Sequence, residues 1–184
     1  MTIQNYLQTN FNYSNFQIEQ IKYTVLSILS ELSKLIIMGF YFAFTQSFLQ
    51  YLVAITVLLF LRTCTGGLHF KHYFSCLAIS FALLYLGIIW LPNITIARPV
   101  YFALLLLCVI LNYLYAPIVS SYRPIPDGIR IKKSKRQSFY IITIYALIMF
   151  IVPNNLYIVT GFWIIMLQTI QLVVAKISKK EVHQ

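Results

Sequence analysis

Residues 72–97 read HYFSCLAISFALLYLGIIWLPNITIA, 26 positions with no Lys, Arg, Asp or Glu between Lys71 and Arg98. A helix needs roughly 20 mostly apolar residues to cross a bilayer. The stretch therefore holds one span, residues 73–91, closed by Pro92-Asn93. The same pattern recurs on both sides of it. Uncharged runs of 27 residues lie between Lys34 and Arg62, of 24 between Arg98 and Arg123, and of 39 between Arg136 and Lys176. The last is broken at Pro153-Asn154-Asn155 and reads as a helical hairpin.

Composition agrees with this reading. Of the 184 residues, 60% are hydrophobic and only 10% charged, with a mean hydropathy of +0.78. A soluble domain carries about a quarter charged residues. The expected fold is an all-α, polytopic integral membrane protein of about six helical segments in one domain, residues 1–184. Residues 1–34 are expected to form an amphipathic N-terminal segment: Ile18, Ile21, Val25, Ile28, Leu29, Leu32, Leu35 and Ile36 stand at helical spacing over 16 to about 36, as a helix at the membrane surface or the polar first half of a span. Apolar segments follow at 35–61, 73–91, 99–117, 138–153 and 156–175, with a basic loop at 118–137. The run to Leu61 is too long for one upright span and short for two, so the path of 16–61 stays open.

The 14 Lys and Arg against 4 Asp and Glu give a net charge of +10. Because the basic residues sit at the ends of apolar runs, they read as topology determinants facing lipid headgroups, and no nucleic acid is called for. Arg123, Arg130, Lys132, Lys133, Lys135 and Arg136 place the 118–137 loop in the cytoplasm, together with the C-terminal Lys176, Lys179 and Lys180. The 92–98 turn is then external and the stretch Arg62 to Lys71 cytoplasmic. The polar, aromatic residues Met1 to Asn15 do not resemble a signal peptide, so insertion is expected to be permanent. Four acids, Glu19, Glu31, Asp127 and Glu181, supply no Asp cluster for magnesium and no His-Glu-x-x-His helix for zinc. No cofactor is expected. The uncharged windows also lack the acids that mark ion pathways.

Any chemistry then falls to the cytoplasmic stretch Arg62-Thr63-Cys64-Thr65-Gly66-Gly67-Leu68-His69-Phe70-Lys71-His72-Tyr73-Phe74-Ser75-Cys76. A thiol beside an imidazole suffices for nucleophilic catalysis. On a straight helix His72 and Cys76 meet at i and i+4, whereas His69 and Cys76 stand about 10.5 Å apart along the axis. A His69–Cys76 pair requires the paired glycines to fold the chain back, with His69 in a loop above the helix that carries Cys76. Both pairings stay open on geometry alone.

The pattern Arg62, Gly66, Gly67, His69 and Cys76 at the start of a span resembles that of the accessory gene regulator protein B (AgrB) family. Tyr115-Ala116-Pro117 followed by Arg123-Pro124-Ile125-Pro126 and a Lys/Arg-rich run is similar to the loop of the same family. The resemblance covers most of the chain. It implies a multi-pass protein of the bacterial cell membrane, a cysteine endopeptidase of quorum sensing with its site facing the cytoplasm. Such an enzyme cuts an AgrD-like propeptide on the C-terminal side of the signal and assists closure of a thiolactone or lactone ring. By motif position, the resemblance makes His69 the base and Cys76 the nucleophile, with His72 outside the motif. Arg62, Lys71, Arg123, Lys132 and Lys133 become candidates for binding the acidic tail of the propeptide.

Each of these residues also has a plainer reading. Cys64 and Cys108 serve as packing thiols, and three unpaired cysteines make no disulfide frame. Arg62 and Lys71 snorkel to headgroups, and His72 is an interfacial side chain. No residue is assigned to an oxyanion site; Asp127 and Glu31 are the acids within conceivable reach, and Ser75, Thr63 and Asn112 the polar side chains. The long apolar face from Lys34 to Leu61 suggests a homodimer. The competing function is a non-catalytic membrane transport or assembly partner in which the His-Cys pair only packs.

Overall fold

Uncharged runs of this length can satisfy their backbone groups in lipid only by closing them internally, which favours helices. The computed structural model describes residues 14–66, 73–118, 127–152 and 155–181, and these are helical almost throughout. Six α-helices follow one another among them: α1 (Asn15–Phe44), α2 (Phe48–Thr65), α3 (Tyr73–Tyr85), α4 (Arg98–Tyr115), α5 (Gly128–Ile151) and α6 (Leu156–Glu181). Five stretches are long and apolar enough to cross a membrane: α1, α2, residues 73–93, α4 and α6. The protein is an all-α, multi-pass membrane protein, as its sequence implies.

The chain divides into two compact units, Met1–Tyr41 and Phe42–Gln184. The first contains most of α1. Its start is a reciprocal cap: Gln17 donates its backbone N–H to Ser14 Oγ (3.3 Å), and Ser14 donates its own to Gln17 Oε1 (2.9 Å). Farther along, Lys34 Nζ pairs with Glu31 at 2.7 Å, one turn back.

In the second unit, α1 ends in a turn at residues 45–47. The Ser47 N–H bonds to the Phe42 carbonyl (2.9 Å) and the Gln46 N–H to that of Ala43 (3.2 Å), with Gln46 at φ 57°. These two bonds around a left-handed residue form a Schellman motif, which consumes the last carbonyls of α1. The apolar run 35–61 is therefore two helical pieces, cut at Thr45-Gln46-Ser47. A second departure concerns the basic stretch 118–137. Residues 128–137 are the first turns of α5, because Arg, Lys and Gln are good helix formers and nothing there breaks the run.

The helix α6 lies at the centre of this unit, against α2, α4 and the end of the third span. Over its apolar window 56% is buried, against 22–28% for the spans α2, 73–93 and α4. Leu61, Leu105, Cys108, Ile142, Met149, Phe162 and Ile165 form the shared core. Past Tyr85 the third span widens into a π-turn (Leu86–Trp90) and tightens into a 3-10 turn (Leu91–Asn93). There Gly87 lets α6 approach, since a Cβ would meet Ile164 Cδ1 at 2.7 Å. Large exposed apolar side chains such as Leu52, Phe60, Leu106, Leu107 and Phe150 cover the outside. Such a surface suits lipid and not water.

Successive helices of the second unit alternate in direction, and contacts at both ends fix this. At one end Arg98, opening α4, donates to the carbonyls of Phe150 (2.9 Å) and Met149 (3.4 Å) at the close of α5. At the other end the close of α2 meets Ile118 beyond α4, and Ala116 and Ile118 pack with Leu172 and Ala175 in the second half of α6. That second end also carries Arg62, Cys76 and the basic turns of α5.

Candidate functional site

The last turn of α2 passes through Arg62, Cys64 and Thr65 to Gly66, whose φ of +75° turns the chain out of the helix. Any side chain there would collide with the Ile118 carbonyl oxygen. The close approach is a parallel β-bridge between Gly66 and Ile118, in which the Ile118 N–H donates to Thr65 O at 2.9 Å. Ile118 follows Tyr115-Ala116-Pro117, with a cis bond before the proline. Residues 67–72 and 119–126 thus both leave from this one bridge.

Gln168 of α6 closes the arrangement. Its Nε2 donates to Gly66 O at 2.9 Å and to Thr65 Oγ1 at 3.3 Å, while Thr65 Oγ1 lies 2.9 Å from Leu61 O and 3.1 Å from Gly66 O. Gln168 and Thr65 are fully buried, and Gln168 Oε1 has no protein partner among the described residues.

Cys76 lies in the first turn of α3 as a buried, reduced thiol. Ser80, one turn further on the same face, lines a cavity of about 20 Å³ with Leu58, Arg62, Leu84, Gln168 and Gln171. That is room for one water molecule. Arg62 is half-buried at the end of α2, whereas Lys132 and Lys133 are exposed on α5. His69, Lys71, His72 and Arg123 lie outside the described residues.

The polar side chains in reach of the sequence argument have other commitments. Asn112 spends both amide hydrogens on Cys108 O and Thr169 Oγ1, each at 2.8 Å, leaving no donor for an oxyanion. Thr63 is exposed and bonds Phe60 O at 2.9 Å, and Ser75 is exposed. Asp127 is exposed at the N-cap of α5, and Glu31 is ion-paired. Cys108 packs beside Met166 in the core, and Cys64 is buried near Gln137. Among the described residues no group of His, Cys, Asp or Glu could hold a metal ion.

Sequence reasoning missed Thr65, Ile118 and Gln168. The available signal was the presence of Gln168, Thr169 and Gln171 inside an apolar span, where an unbonded amide is costly.

The family model of accessory gene regulator B matches residues 1–172. The chain belongs to the AgrB family. The match runs from before α1 into α6 and includes the glycine turn, Cys76 and the Tyr115–Ile118 junction. A Clostridium beijerinckii protein described as AgrB-like is 30% identical over 130 residues, 68% of this chain. The chain spans 63% of that relative's length. No solved structure matches this AgrB-family chain.

Proposed function

We propose that this AgrB-family chain is a membrane cysteine endopeptidase that cuts an AgrD-like propeptide and hands its acyl group on to ring closure. The observation that carries the reading is the position of Cys76. It is a buried thiol in the first turn of α3, a helix whose start is six residues, His69 among them, beyond Gly66. The N-terminal turn of a helix presents backbone N–H groups and positive partial charge, a setting suited to a reacting thiolate.

His69 takes the proton of Cys76, and the sulfur attacks the carbonyl carbon of the cut amide to give a tetrahedral oxyanion. Collapse breaks the C–N bond as His69 returns the proton to the leaving amine. The C-terminal tail departs and a thioester remains on Cys76. A cysteine or serine side chain of the propeptide then attacks that thioester, closing a thiolactone or lactone and restoring the Cys76 thiol. Burial of Cys76 favours this exchange over hydrolysis by limiting water.

The basic residues supply recognition. Arg62, Lys71, Arg123, Lys132 and Lys133 attract an acidic tail, and by the positive-inside rule their end of the molecule faces the cytoplasm.

The test is cleavage of a co-expressed propeptide by membranes holding equal amounts of each variant. Cys76→Ala and His69→Ala are expected to abolish cleavage and His72→Ala to retain it. Full cleavage by Cys76→Ala would sink the peptidase reading and favour a non-catalytic partner role. Loss with Cys76→Ala and His72→Ala alone would keep the enzyme and replace the base.

A further inference from the structure

We propose that Gln168 is a positioning residue for the reaction above, its amide fixing the backbone from which the His69 segment departs; the proposal rests on that reading of the function. Both peptide units flanking Gly66 are held from outside α2. Thr65 O accepts the Ile118 N–H, and Gly66 O accepts Gln168 Nε2 across 102 residues of sequence. The second amide hydrogen of Gln168 points to Thr65 Oγ1, whose own proton is directed to a backbone carbonyl. Both donors of one side chain are thus spent on the two residues where the helix ends.

Packing does not account for this side chain. Gln168 is 1% exposed, and an aliphatic residue would fill its volume without desolvating an amide. What the amide adds is direction, for a carbonyl held at 2.9 Å by a planar donor cannot rotate freely. His69 stands three residues beyond that carbonyl, within about 11 Å of chain. The 119–126 segment, with Arg123, starts from the same bridge. The amide therefore braces the departure of the segment with the proposed base, while the Ile118–Thr65 bond ties the start of the segment with a proposed tail-binding arginine to the same backbone.

The experiment uses the full chain in liposomes and a synthetic AgrD-like propeptide, with cleavage followed under steady-state conditions. Gln168→Met keeps shape and removes both donors. It is expected to insert normally and to lower kcat by about 10- to 100-fold, with KM changed less than about 3-fold. Gln168→Asn, which keeps a donor, should recover part of the loss, and Gln171→Met, on the same cavity, should leave kcat unchanged. Wild-type kcat in Gln168→Met overturns the proposal, as do equal losses in Gln168→Met and Gln171→Met or a failure of Gln168→Asn to recover anything. If Gln168→Met does not insert, Gln168→Asn and Thr65→Val decide: both should lower kcat at constant KM, and wild-type kcat in both overturns it. Cys76→Ala and His69→Ala in the same liposomes separate the two ideas, since cleavage by either refutes the function itself whatever Gln168 does.

Discussion

At Gly66 two demands meet, a left-handed backbone and a neighbouring carbonyl in the space of a side chain. With ψ at −162° the backbone lies in a region used essentially by glycine alone, which costs an L-residue about 1–3 kcal/mol, and the collision adds to it. Gly66→Ala is therefore expected to lower the unfolding midpoint of the protein in mild detergent; an unchanged midpoint would contradict the bridge. The glycine turn was legible in the sequence, because paired glycines after a helix-length apolar run have few other uses. Cys76 was legible as a thiol at the start of a span. The partner of Gly66 was not: Gln168 lies 102 residues away, and nothing in a run of apolar residues says which turn of which helix a lone amide will meet. The roles of His69, Lys71 and Arg123 rest on the sequence and the family pattern.

Among the elements, the break between α1 and α2 shows how little a helix end needs. Thr45-Gln46-Ser47 contains neither Gly nor Pro, and the left-handed residue is Gln46. Gln46→Gly should remove that strain and stabilise the turn by about 1 kcal/mol, read as a higher unfolding midpoint in detergent. A lower midpoint would mean that the Gln46 side chain contributes more than its backbone costs. The spans from α2 onward followed from the uncharged runs, since lipid leaves the backbone no other economical choice, and the start of α1 followed from the helical spacing of its apolar residues. The cut at 45–47 did not follow, because the run carries no charge, Gly or Pro there to mark it. The same holds for α5, which starts ten residues before the apolar pattern does: Lys and Arg rich sequence is compatible with loop and helix alike, and hydrophobic periodicity cannot choose where there is none.

For the molecule, alternation of α2 to α6 gathers Arg62, Arg130, Lys132, Lys133, Lys135, Arg136 and Lys176 at one end, and leaves Arg98 at the other. The positive-inside rule then predicts sidedness. In a background lacking the native cysteines, Asn93→Cys should react with a membrane-impermeant thiol reagent on intact cells, and Lys133→Cys only after permeabilisation. The reverse pattern would turn the site outward. Charge placement made this arrangement readable from sequence, while the central position of α6 was not, because all the apolar runs look alike until they are packed.

The bond between Gly66 and Gln168 also carries a consequence in time. A ribosome adding about 5–20 residues per second needs on the order of ten seconds to make the chain between them. For all but the first ten residues of that interval α2 and Cys76 already exist, yet the amide that braces the Gly66 turn has not been synthesised. If that amide positions the base, a nascent or prematurely terminated chain carries the nucleophile without the geometry to use it. Under the proposed function, competence would arrive with the last helix, and translation itself would serve as the safety catch on Cys76.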